Sequence, residues 1–315
     1  MNEAPLSGDS PAISLVTPAY NESENLEPLL QRIIAVMDSV NLTWEWIVVD
    51  DHSSDATFSL LFEQAARDCR VRGLRLTRNF GSHAATLCGL AAARGGAAIV
   101  LAGDGQDPPE EIPRLIAEWR GGASIVWAER SPNGDSEQIG SRAFHRLLRR
   151  WSGLGTLAPR GSDFFLITRP VIDIVNSLGE RNTNVTALLA WIGIDPVTIE
   201  YKKRARERGV SGWTAAKKFK LTIDSILGFS VRPVQIMSIV GILVAMLGFL
   251  YAGVVIANAI FGRPTEGWSS LIVVVLVIGG IQMMMLGVLG EYLWRALDES
   301  RGRPRYIIER RTDHE

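Results

Sequence analysis

Ile99–Pro109 reads Ile-Val-Leu-Ala-Gly-Asp-Gly-Gln-Asp-Pro-Pro, an apolar β-type run that stops in small and acidic residues and then two prolines. Asp104 and Gln106 present oxygen atoms as ligands, the donor type preferred by a hard divalent cation such as Mg²⁺ or Mn²⁺. Such a cation keeps several waters and shares the rest of its shell with substrate phosphates. The spacing therefore points to metal-assisted handling of a phosphorylated substrate. The plain alternative is a polar turn that opens the helical Glu110–Trp119. Three more polar stretches stand upstream: Pro18-Ala-Tyr-Asn-Glu22, Asp50-Asp-His-Ser-Ser-Asp55 and Arg78-Asn-Phe-Gly81. A carboxylate at Asp50 or Asp51 can accept from a base N–H, and Arg78 and Arg130, each just past an apolar run, can reach phosphate. His52 and His83 are read as structural. Asp163 either positions a substrate or simply opens a strand.

Each of these stretches follows an apolar segment. Ile13–Thr17, Trp44–Val49, Val71–Leu76, Ala97–Leu101 and Ser124–Ala128 read as strands, with Pro18 expected to stop the first. Leu26–Val40 places Leu26, Leu29, Leu30, Ile33, Ile34 and Met37 at helical spacing, and Ala56–Ala66 and Ser82–Arg94 also read as helices. Strands alternating with helices predict an α/β fold with a mostly parallel sheet and right-handed crossovers. Ligands of such sheets sit at the carboxyl ends of the strands, so the polar stretches should converge on one edge. Asp163–Thr168 and Pro196–Tyr201 read as further strands around helical Thr183–Ile192. No P-loop is present. Gly153–Ala158 matches G-x-G-x-x-A but follows a basic helical stretch, the wrong context for a dinucleotide site.

The 315 residues suit about two domains. A net charge of −1 supplies no global field for nucleic acid. Two cysteines, Cys69 and Cys88, with no secretory-signal pattern ahead of them, argue against a disulfide framework and for a cytosolic soluble part. The basic face of Ile139–Leu154 fits either an ordinary surface helix or a membrane surface. In Lys202–Lys220, eight basic residues stand against Glu207 alone, and Trp213, Ala216, Phe219, Ile223 and Ile226 recur at steps of three or four. That pattern predicts an interfacial amphipathic helix with lysines toward anionic head groups. Val234–Phe261 and Leu271–Leu293 each exceed the roughly 20 residues needed to cross a bilayer. They predict a transmembrane hairpin in which Gly241, Gly248, Gly279, Gly280, Gly287 and Gly290 allow close packing and Gln282 faces a neighbouring helix. Arg232 precedes this hairpin, and Arg295, Arg301, Arg303 and Arg305 follow it, whereas its turn holds Arg263 offset by Glu266. The positive-inside rule then puts both chain ends in the cytosol. The expected boundaries are a cytosolic domain over 1–210, a juxtamembrane helix over 211–232, two spans over 233–294 and a cytosolic basic tail over 295–315.

Val16-Thr-Pro-Ala-Tyr-Asn-Glu22, Val48-Val-Asp-Asp-His-Ser-Ser-Asp55, Arg78-Asn-Phe-Gly81 and Asp104-Gly-Gln-Asp-Pro-Pro-Glu110 stand in the order and spacing of family 2 glycosyltransferases with the GT-A fold. With the basic Arg204–Trp213 stretch and the two apolar segments, the chain resembles the polyprenyl-phosphate glycosyltransferases. These include dolichol-phosphate mannose synthase and the bacterial enzymes that load glucose or aminoarabinose onto undecaprenyl phosphate. The resemblance covers about Ile13 to Arg305. It implies a GT-A Rossmann-like sheet, a nucleotide-sugar donor with uridine as the base, Mg²⁺ or Mn²⁺, and inverting transfer to a lipid phosphate at a bacterial-type inner membrane. A homo-oligomer is implied as well.

Pro18, Tyr20, Glu22 and one or both of Asp50 and Asp51 match the family's nucleotide-binding positions, joined here by Arg78. Asp104 and Gln106 match its metal-diphosphate positions, and Arg204 and Arg208 its basic residues near the phosphates. Asp107, Arg130, Asp163, Ser211 and Trp213 are further candidates for positioning substrate. The chain departs from the family at Ala102, where an acid is common, at Ser82, where lysine is common, and at Phe165, where arginine is common. Ser131–Gln138 and Leu157–Ser162 are expected to select the sugar. Two other readings stand beside the lipid-phosphate transferase. A processive polysaccharide synthase would carry Gln-x-x-Arg-Trp, but Arg150-Trp151 lacks that glutamine. A nucleotide-sugar-binding scaffold is motivated by Ala102.

Overall fold

The computed structural model describes residues 10–131, 163–179, 184–202, 232–261 and 267–312. The chain divides into two compact units, a sheet unit that includes residues 304–315 and a helical unit of residues 226–303 with 151–153. Ile139–Leu154, the loops Ser131–Gln138 and Leu157–Ser162 beyond Ser131, and the basic amphipathic stretch after Lys202 lie outside the described residues.

The sheet unit runs β1 (Ile13–Ala19), α1 (Ser23–Val40), β2 (Trp44–Asp50), α2 (Thr57–Arg67), β3 (Val71–Leu76), α3 (Ser82–Ala92) and β4 (Ala97–Val100). A 3₁₀ turn at Pro109–Glu111 then leads into α4 (Ile112–Arg120), followed by β5 (Ile125–Arg130), β6 (Phe165–Thr168), α5 (Arg169–Ser177), α6 (Val185–Ile192) and β7 (Val197–Tyr201). Last comes β8 (Ile308–Arg311). The spatial order is β7-β5-β6-β4-β1-β2-β3-β8. The expected mixed α/β sheet with flanking helices is present. Parallel pairing joins β1 to β2 and β4, β2 to β3, and β5 to β7; β6 and β8 run against their neighbours.

Side chains on successive strand residues point to opposite faces. Ile13, Leu15, Trp46 and Val48 therefore enter one core with α1, α2 and α4, while Val16, Ile47, Val49 and Leu74 enter the other with α3, α5 and α6. Burial on both faces explains why β1 and β2 read as nearly continuous apolar runs. Each fully buried Leu, Ile or Val here contributes about 1.5–3 kcal/mol. Helix α3 lies hard against β1: a Cβ at Gly89 would overlap the Val16 side chain. That close approach carries the start of α3, and the loop before it, to the carboxyl edge of the sheet.

Three expectations need correction. Pro18 does not stop β1; it pairs with Val49 inside the strand. Val16 O accepts from Leu101 N and Ala19 O from Asp51 N, so by alternation the Pro18 nitrogen faces the β4 side, where β4 has already ended. No ladder bond is lost there. Helix α5 was not foreseen, although Pro170 at its first turn is a position that proline favours. The residues read as a basic tail contribute a strand: Arg310 pairs with Arg75 and Ile308 with Leu76.

In the helical unit, α7 (Arg232–Ile260) and α8 (Trp268–Ser300) are long and apolar enough to cross a membrane, and their large side chains are mostly exposed. Gly241 faces Met285 of the other helix, as close packing requires, but a Cβ at Gly248, Gly279, Gly280, Gly287 or Gly290 would meet nothing within 4 Å. Those five glycines face outward, and Gln282 is exposed instead of facing α7.

Candidate active site

The loop after β4 is built to hold a turn open. Gly105 has φ of +68°, a conformation that side chains resist, and Asp104 Oδ1 accepts from Gln106 N at 3.1 Å. Anchors surround this turn. Arg32 of α1 donates to Gly105 O and grips Glu110 with Nε and Nη2 at 3.0 and 2.8 Å. Asp107 is buried, accepting from Ala102 N at 3.2 Å and from the Tyr201 hydroxyl at 2.7 Å. Ala102 thus serves the loop through its backbone. Asp104 and Gln106 remain half-buried at the carboxyl edge. Asp107 holds the loop together from within.

The loops after β1 and β2 are stitched to each other. Asn21, at φ of +55°, donates its N–H to Ser53 Oγ and accepts from Ser54 N at its side chain, both at 2.9 Å. Glu22 N donates to Thr57 Oγ1 and Ser23 N to Asp55. Burial opposes the charge of Asp55, but hydrogen bonds from Thr57 and Ser23 outweigh it and hold the carboxyl below its ordinary value. Tyr20 stands 48% exposed beside this seam, with Pro18 and Glu22 half-buried. The adjacent acids Asp50 and Asp51, at the end of β2, differ. Asp51 accepts from Phe80 N at 2.7 Å and Gly81 N at 2.8 Å, so both of its oxygens fix the Arg78–Gly81 loop. Its carboxyl lies above the ordinary value, because burial outweighs those two bonds and Asp50 is adjacent. Asp50 is fully buried; Oδ1 accepts from Ser53 N, and Oδ2 faces Arg75 Nη1 at 3.4 Å. Arg78 is exposed, its guanidinium 4.1 Å above the Phe80 ring.

At the other end of the same edge, Tyr201 gathers three of the expected residues. Besides bonding Asp107, it lies in the electrostatic reach of Arg130 and Asp163, and Arg130 is its partner across the β5–β7 ladder. Burial, then the Asp107 charge, pushes its phenol far above the usual range, so it stays a hydrogen-bond donor. Phe164 packs on it edge-to-face at 5.6 Å. Neither Tyr201 nor Arg75 is singled out from the sequence; the available signal was position alone, Tyr201 at the carboxyl end of β7 and Arg75 one residue before the end of β3. Arg204, Arg208, Ser211 and Trp213 lie outside the described residues.

The donor set fits a hard divalent cation in one mode. Among the described residues no three His, Cys, Asp or Glu side chains group into a metal cage. One carboxylate and one amide oxygen on an open turn suit an ion that completes its shell with water and substrate phosphates.

Residues 14–171 match the model of the family described as Glycosyl transferase family 2. The chain is 35% identical over 300 residues to the bactoprenol glucosyl transferase of Shigella phage SfV, covering 94% of this chain and 98% of that one. It is 32% identical to the undecaprenyl-phosphate 4-deoxy-4-formamido-L-arabinose transferase of Pectobacterium carotovorum, over 95% of this chain and 93% of that one. Among solved structures, glucosyl-3-phosphoglycerate synthase of Mycobacterium tuberculosis aligns with a TM-score of 0.49 at 18% identity, over 70% of this chain and 80% of that chain.

Proposed function

Since the chain belongs to glycosyl transferase family 2 and is a glycosyltransferase, we propose that it moves a sugar, with inversion, from a UDP-sugar to undecaprenyl phosphate at the cytosolic membrane face. The observation that carries this reading is the extent of the similarity. It runs past the family domain at 14–171 through both apolar helices, to relatives named for bactoprenol and undecaprenyl-phosphate transfer. In this reading both chain termini are cytosolic and Gly262–Trp268 is outside.

The chemistry follows from the charges. A phosphate oxygen of the acceptor attacks the anomeric carbon, and the bond to the nucleoside diphosphate breaks with its electrons. A phosphate monoester has a second pKa of about 6, so the acceptor is already largely ionised at cytosolic pH and hardly needs a general base. The protein must hold two phosphate-bearing anions together. Asp104 and Gln106 would hold Mg²⁺ or Mn²⁺, which supplies positive charge where the leaving diphosphate develops its own. Arg78 stands exposed at the same edge for the donor phosphates, while Arg204 and Arg208 are assigned the lipid phosphate. An arginine fork suits phosphate bidentately where a lysine point charge does not. The stitched loops around Pro18, Tyr20 and Glu22 offer the nucleoside a preformed seat.

The test is a panel of radiolabelled UDP- and GDP-sugars incubated with undecaprenyl phosphate and the purified chain in detergent. The expected result is label in chloroform-extractable lipid with one UDP-sugar. Label that stays water-soluble with every donor would overturn the lipid acceptor, and transfer from GDP-sugars alone would overturn uridine.

A further inference from the structure

We propose that Glu309, on a strand the chain reaches only after both apolar helices, is a positioning residue for the donor site, acting through Arg75 on the Asp50–Asp55 loop. The inference rests on the reading of that loop as part of the nucleotide seat. Arg75 lies on β3 and is 22% exposed, and its guanidinium is tied on every side. Nη1 faces Asp50 Oδ2 at 3.4 Å, and Nη2 donates to Ser53 O at 3.1 Å. Nε meets Glu309 Oε2 at 3.2 Å, and the plane lies 5.5 Å from the Phe58 ring. Asp50 Oδ2 is buried and accepts no hydrogen bond among the described residues, so the nearby guanidinium offsets a charge that burial penalises.

Glu309 decides which way that guanidinium faces. With Nε held toward β8, the two terminal nitrogens point to Asp50 and Ser53. Ser53 in turn accepts from Asn21 N, and Ser54 donates to the Asn21 side chain, so the ties continue into the loop of Tyr20 and Glu22. Strand β8 is docked firmly enough to serve. Gly73 N donates to Thr312 Oγ1 at 2.7 Å, Thr312 N to Gly73 O at 3.0 Å, and Thr77 N to Ile307 O at 3.0 Å. A Cβ at Gly73 would press on the Thr312 methyl, so the absence of a side chain there lets β8 close on the sheet. His52 also approaches Glu309, at 3.8 Å.

The experiment uses the full chain in detergent and compares wild type with Glu309→Gln, Glu309→Asp and Arg75→Lys. UDP and, in parallel, GDP are titrated calorimetrically, and donor and acceptor KM are measured separately. Glu309→Gln should weaken UDP binding and raise donor KM about five-fold, the scale of one half-exposed ion pair. Acceptor KM should not move. Glu309→Asp should recover part of the loss. Arg75→Lys should lose more, since one ammonium cannot serve three acceptors in a plane. Wild-type UDP affinity in both Glu309→Gln and Arg75→Lys would overturn the inference and leave the donor reading standing, as would an equal rise in both KM values, which signals general loosening. A wild-type chain that binds neither UDP nor GDP would overturn both.

Discussion

Strands β2 and β3 carry a carboxylate–guanidinium pair at each end, and the two pairs are built differently. At the amino edge, Glu45 Oε2 meets Arg72 Nη1 at 2.8 Å, while Oε1 accepts from Ser14 Oγ and Arg94 N, both at 2.7 Å. Arg72 also donates to Ala92 O, and Gly95 N donates to Ser14 Oγ. Ser14, Glu45 and Arg72 are all buried. At the carboxyl edge, Asp50 and Arg75 stand 3.4 Å apart, Asp50 Oδ2 accepts no hydrogen bond among the described residues, and both side chains bond the backbone of Ser53 in the loop after β2. A carboxylate–guanidinium pair joins strand to strand at one end and holds the loop after β2 at the other. What separates them is how closely the guanidinium meets the carboxylate, 2.8 Å against 3.4 Å, and whether both carboxylate oxygens are hydrogen-bonded.

The comparison can be broken first at the amino edge. Glu45→Ala leaves Arg72 buried without its partner and should cost about 3–5 kcal/mol of stability. Denaturant unfolding of the chain should show a lower midpoint, with turnover per folded molecule unchanged below it. A stable Glu45→Ala chain that has lost turnover would reverse the roles assigned to the two edges.

At the carboxyl edge the balance should be opposite. Asp104→Asn should cut turnover about 100-fold or more, the scale of losing one group that meets developing charge, with the unfolding midpoint close to wild type. Chelation with EDTA should act alike on wild type, and full turnover of the variant in EDTA would remove the metal from the reading. Tyr201→Phe should fall between these extremes. It deprives buried Asp107 of a 2.7 Å bond, worth about 1–3 kcal/mol when a buried acceptor is left unmet. Its main effect should be on kcat, with donor KM near wild type, because it loosens the turn that bears Asp104 and leaves the nucleotide seam intact.

A further effect is expected in pH dependence. Desolvation lowers His83, at the start of α3, from 6.5 to about 4. The folded chain therefore binds fewer protons than the unfolded one between those values, and stability falls as pH drops through that window. His83→Gln should flatten this acid limb in thermal melts taken from pH 7 to pH 4. An unchanged slope would mean that another group sets it.

Much of the candidate site was legible because it lies in short, local patterns. Asp104-Gly-Gln-Asp after an apolar run signals a turn at a strand end whatever surrounds it, and the structure places it there. The strand–helix alternation from Ile13 to Arg120 was equally local, since one face of each helix and most positions of each strand had to be apolar. Asp51 and Asp107 were harder. As residue types they looked available to a ligand, yet they accept from Phe80 and Gly81 and from Ala102 and Tyr201. A carboxylate's partner is set by which donors the fold brings within reach, and those include the Gly81 N–H, 30 residues away, and the Tyr201 hydroxyl, 94 residues away in sequence.

By itself, then, the sequence determined the strand–helix order from Ile13 to Arg120, the two apolar helices, the sheet edge at which the polar loops gather and the oxygen donors of its central turn. Each of these follows from periodicity and turn chemistry within a dozen or so residues. Only the tertiary structure decided that β6 enters the sheet antiparallel between β4 and β5 and that β8 returns to pair with β3. It alone decided that Arg75 and Tyr201 hold the loops while Asp51 and Asp107 serve as their internal ties. Pairing direction and hydrogen-bond choice depend on which distant strand edge is left open once the cores on both faces have packed, and no local pattern in Ile308–Arg311 encodes that.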